Sequence, residues 1–69
     1  MKLNYADIKK YVLKHDRIKV AEKHKVSLST VYMVGSGRRR NIPVLESLIE
    51  IAENNKKKFI ELETRTKNL

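Results

Sequence analysis

Three observations predict that this chain is all-α, a compact bundle of four to five short helices. Apolar residues recur at spacings of three and four along most of its length, the period of one helix face and not the alternation of a half-buried strand. Glycine, proline and the small polar residues that start and stop helices fall between those stretches. Cysteine is absent from the 69 residues, so no disulfide or thiolate metal site can compensate for a small core. Burial of helix against helix has to hold the domain together.

The first helical pattern covers residues 5–14, with Asn4 as its N-cap and Tyr5, Ile8 and Val12 on one apolar face. Lys9, Lys10 and Lys14 fall on its other faces, and Tyr11 is expected to be half-buried. His15 and Asp16 read as a break, Asp16 being suited to cap a second helix over residues 17–24. That helix buries Ile18, Ala21 and, as a further candidate, Val20, and it turns Lys19, Glu22 and Lys23 to solvent. Val26 anchors the turn that follows. Ser27 can accept a backbone N–H at the start of a third helix over residues 28–34, where Val31 and Val34 face inward.

Gly35, Ser36 and Gly37 end the third helix, because glycine closes helices in a left-handed conformation without steric penalty. Arg38, Arg39, Arg40 and Asn41 then form a short basic loop. Pro43 suits the first turn of a fourth helix, whose inner stripe is Leu45, Leu48, Ile49 and Ala52. Beyond Ala52 the chain becomes polar, yet Phe59 and Leu62 keep the same phase. Either the helix continues, or Asn54 and Asn55 end it and a fifth helix or frayed tail follows. This divides the chain into one domain, residues 1–54, and a polar, basic extension, residues 55–69.

Charge narrows the function. Sixteen Lys and Arg against eight Asp and Glu give a net charge of +8 and a pI near 10.0, which favours a polyanionic partner. No apolar run is long enough to span a bilayer and the start MKLNYADIKK lacks a secretory apolar stretch, so the reading is a soluble, cytoplasmic protein without a membrane partner. His15 and His24 sit on different predicted elements with no cysteine near them, so no metal is expected. No pairing of nucleophile with base or phosphate-cradling glycine loop is visible, which predicts neither an enzyme nor a cofactor nor a small-molecule substrate.

Two short helices joined by a tight turn make the unit known as a helix-turn-helix, whose second helix enters the DNA major groove. Its demands are met at workable spacing: Ala21 is small where the helices cross, Val26 plugs the turn, and Val31 and Val34 point inward. The stretch VAEKHKVSLSTVYMVGSGRRRNIPVLESLIEIA resembles the core of the lambda-repressor-like domains of phage Cro and repressor proteins, and the resemblance covers residues 17–52, about half the chain. It departs from the family's pattern at Lys25, where the turn usually has glycine, and at Leu28, where a polar base-reading side chain is usual.

The resemblance implies sequence-specific binding of double-stranded DNA by a small transcriptional regulator of phage or mobile-element type. Ser27, Leu28, Ser29, Tyr32 and Met33 would then form the base-contacting face of the recognition helix. Phosphate contacts would come from Lys25, Thr30, Arg38, Arg39 and Arg40, with Lys19 or Lys23 flanking them. A homodimer would form through the C-terminal stretch that carries Phe59, Ile60 and Leu62. Two other uses of the same fold stay open: a protein-interaction module docking through Leu28, Tyr32 and Met33, or a non-specific nucleic-acid binder.

Overall fold

The computed structural model describes residues 5–67, which fold into four α-helices and, among the described residues, no strand. They are α1 Tyr5–Tyr11, α2 Lys14–His24, α3 Leu28–Gly35 and α4 Ile42–Lys67. The expected cap Asn4 lies outside the described residues. α4 packs against each of the other three helices and forms the spine of the bundle. At about 1.5 Å per residue its 26 residues reach roughly 39 Å, close to the full 43 Å long axis of the molecule. The buried core is Ile8, Val12, Val20, Ala21, Val31, Val34, Val44, Leu48 and Ala52, with Tyr11, Val26, Leu45, Ile49 and Ile51 packed partly buried against it.

The boundary between the first two helices falls earlier than the sequence predicts. α1 stops at Tyr11, Val12 makes the last bond to the Ile8 carbonyl, and Leu13 is extended (φ −85°, ψ 167°). Asp16 does not stand at the helix start. From one turn inside, its carboxylate accepts the Leu13 N–H at 3.2 Å, and α2 thereby gains Lys14, His15 and Asp16. An aspartate signals a helix start equally well from either position, which is why the pattern alone misplaces it.

The inward phase of α2 is Arg17, Val20, Ala21 and the half-buried His24, successive positions of one helix face. Ile18 lies off that phase and is 39% exposed, and Tyr5 at the start of α1 is 40% exposed, so neither is a core residue. Val44, absent from the expected stripe, is fully buried. His24 crosses to α4, its Nε2 lying 2.8 Å from the Ser47 hydroxyl. Asn41 starts α4, its side-chain oxygen accepting the Val44 N–H at 3.3 Å.

α4 continues through Asn54 and Asn55 without a break. The Asn55 amide donates to the Tyr11 carbonyl at 2.7 Å and to Asp16 at 3.3 Å, so it is occupied across the bundle and does not compete for its own backbone. Lys56 pairs with Asp7 at 3.2 Å, and Phe59 meets Tyr11 edge to face with centroids 6.0 Å apart. The first five residues of the expected extension therefore reach back onto α1 at three points.

Candidate nucleic-acid interface

The segment that carries most of the expected DNA-facing residues is α3 with the turn before it and the loop after it. α2 ends in a pair of backbone bonds, Val26 N–H to the Ala21 carbonyl at 3.0 Å and Lys25 N–H to the Glu22 carbonyl at 3.3 Å. This closure requires a left-handed residue, and Lys25 adopts it, with φ 54° and ψ 45°. The turn therefore has the backbone that glycine would supply, held by lysine. Its side chain is exposed, as are those of Lys19 and Lys23 on α2.

Ser27 then caps α3, its hydroxyl accepting the Thr30 N–H at 3.1 Å and lying 2.9 Å from the Thr30 hydroxyl. Both hydroxyls are thus engaged with each other at the helix start. No acidic residue stands in the first turn of α3, so the positive end of its dipole is uncompensated. Ser29 and Tyr32 are exposed, while Leu28, Thr30 and Met33 are half-buried. Of the residues expected to face a base, Ser29, Tyr32 and the edges of Leu28 and Met33 share the outer side of α3, opposite the buried Val31 and Val34.

The loop beyond α3 is held by its backbone. The Met33 carbonyl accepts the Arg38 N–H at 2.9 Å, the Arg39 N–H at 3.3 Å and the Ser36 hydroxyl at 3.0 Å. The positive φ of the segment belongs to Gly37 (81°), whereas Gly35 is the last residue of α3 and is buried. The three arginine side chains are exposed and, among the described residues, no ion pair engages them. Three cations without an ion pair among the described residues are consequently carried on a loop folded back against the end of α3.

Sequence reasoning missed Arg17. It is 7% exposed, its Nη2 donates to the Ile8 carbonyl at 3.4 Å, and its guanidinium stacks on the Tyr32 ring 4.7 Å from the centroid. Its place on the Arg17, Val20, Ala21 phase is the available signal, easily discounted because charged residues are rarely buried. Among the described residues no group of three or more His, Cys, Asp and Glu could hold a metal ion, and no helix is long and apolar enough to cross a membrane.

Compared with protein-family models, with curated proteins and with solved structures, the chain matches none.

Proposed function

We propose that this chain binds double-stranded DNA as a small transcriptional regulator of phage or mobile-element type, acting in the cytoplasm, with α3 in the major groove as the second helix of a helix-turn-helix. The observation that carries this reading is the trio Arg38, Arg39 and Arg40: exposed, without ion pairs among the described residues, and tethered through the Met33 carbonyl to the end of the helix whose outer face is free. Cations in that position neutralise phosphates and release condensed counterions. Ser29, Tyr32, Leu28 and Met33 supply the groove-facing side, a set with no Arg, Asn or Gln for bidentate readout, so discrimination between sequences is modest. Ser27 and Thr30, bonded to each other, are assigned to the cap and to backbone contact.

Reading two half-sites takes two copies of such a helix, and the exposed Phe59 and Ile60 on the distal half of α4 offer the surface for a homodimer. The decisive experiment titrates fluorescent random-sequence duplex with the wild type and with Arg38→Ala/Arg39→Ala/Arg40→Ala over a range of salt. Salt-sensitive binding is expected, with the slope of log affinity against log salt shallower in the variant by roughly 0.9 for each phosphate no longer neutralised. Absence of duplex binding even at low salt overturns the reading.

A further inference from the structure

A groove of about 660 Å³ lies between the start of α1, the α1–α2 junction and the end of α3. Its size is in the range of roughly 300–1,000 Å³ typical of small-ligand sites. Tyr5 and Tyr32 bring aromatic rings to its lining, Val12 and Leu13 contribute apolar surface, and Lys9, Lys14 and Arg17 line it without a single carboxylate. Lys9 and Lys14 are exposed and, among the described residues, carry no ion pair.

Arg17 is the unusual member. It is more than nine-tenths buried, yet among the described residues no carboxylate pairs with it, and one carbonyl at 3.4 Å and one ring face are what it has. A guanidinium offers five N–H donors. Among the described residues no buried side-chain nitrogen is left without a partner, so the nitrogens of Arg17 not bonded to Ile8 keep solvent contact, and the residue lines the groove. A buried cation without a counterion is costly, and an arriving carboxylate removes that cost with a two-pronged hydrogen bond.

The two glycines, Gly35 at the end of α3 and Gly37 just beyond it, make room for this arrangement. A Cβ on Gly35 would stand 3.1 Å from Arg17 Nη1, and one on Gly37 would stand 3.2 Å from the Tyr5 ring. The glycines thus clear space for the cation and for one aromatic side chain of the lining, beyond ending a helix.

We infer that this groove is a binding site for a small aromatic carboxylate, the carboxylate meeting Arg17 with Lys9 and Lys14 at the rim, and the ring lying among Tyr5, Tyr32 and Leu13. The site shares Tyr32 with the proposed DNA interface, but its recognition of the carboxylate rests on Arg17, Lys9 and Lys14 and is tested without duplex.

The test follows backbone amide resonances by ¹H–¹⁵N NMR during titration with 2-naphthoate, with naphthalene-2-carboxamide as the neutral isostere. Saturable shifts confined to the neighbourhood of Tyr5, Leu13, Tyr32 and Ser36 are expected. The amide should bind about tenfold more weakly, as loss of a charge-assisted bond demands. Arg17→Met should weaken 2-naphthoate by a similar factor. Should that variant fail to fold, Lys9→Gln/Lys14→Gln alters only exposed side chains and is expected to weaken binding about threefold through screened charge. Equal binding of acid and amide, no shifts at several millimolar ligand, or the same shifts from inorganic phosphate at lower concentration would each overturn the inference.

Discussion

The side-chain amide of Asn55 donates to the backbone carbonyl of Tyr11 across 44 positions of sequence, at 2.7 Å. The end of α1 is thereby closed by a residue of α4, and the same amide reaches the Asp16 carboxylate that holds the start of α2. Asn55→Ala leaves a half-buried carbonyl unsatisfied and should lower stability by about 1–2 kcal/mol in urea unfolding. A chain ending at residue 61 keeps Asn55, Lys56 and Phe59 and should unfold near the wild-type midpoint. One ending at residue 54 should lose at least as much stability as the alanine variant. Equal midpoints for the two truncations would mean that these three side chains contribute nothing.

Lys25 holds a left-handed backbone at φ 54°, which costs a non-glycine residue about 1 kcal/mol. Lys25→Gly should relieve it, offset in part by a more flexible unfolded chain that costs about 0.4 kcal/mol or more, for a net gain of at most about 0.6 kcal/mol. For a domain of this size that corresponds to a rise of a few degrees in Tm. A lower Tm would show that the lysine side chain stabilises the turn by more than its backbone strains it.

Gly35 stands where α3 meets Arg17, Ile8 and Leu48, each within 3.5 Å of the place a Cβ would occupy. Gly35→Leu must push the helix off that junction and should destabilise by about 1–3 kcal/mol through overpacking. That is a large part of what so small a domain has. Circular dichroism during heating would read it directly, and an unchanged Tm would mean that the junction gives way without cost.

Phe59 and Ile60 leave apolar surface open on the distal half of α4. Ile60→Glu is expected to keep the monomer fold, since the residue is 50% exposed, and to abolish self-association in sedimentation equilibrium. If the wild type sediments as a monomer at high concentration with duplex present, the dimer fails and duplex is bound by single copies.

The parts of this fold that were legible in the sequence are those where one pattern admits one structure. Val31 and Val34 on the inner side of α3, Leu48 and Ala52 on α4 and the Ser27 cap all follow from helix periodicity and cap chemistry. The α1–α2 boundary did not, because Asp16 serves a helix start from two positions and only the tertiary phase of Arg17, Val20 and Ala21 selects between them. Tyr5, read inward from its spacing with Ile8 and Val12, and Ile18, which lies off the Arg17, Val20, Ala21 phase of α2, are 40% and 39% exposed. For Arg17 the helical phase it shares with Val20 and Ala21 is the one signal in the sequence, and what makes its burial tolerable, Ile8, Tyr32 and Gly35 meeting around it, is visible in the fold alone. For the interface the residue types were readable, and the mutual bond that occupies the Ser27 and Thr30 hydroxyls was not.

The three-way acceptance at the Met33 carbonyl bears on how this chain can change over generations. Two of its three bonds come from main-chain N–H groups of Arg38 and Arg39, so the loop keeps its shape whichever side chains those positions carry. Identity at positions 38–40 is uncoupled from folding, and replacement there should cost less than about 0.5 kcal/mol, as at other open surface sites. Selection can therefore add, remove or exchange charges at this loop one at a time, retuning affinity for a partner while the scaffold that presents them stays untouched.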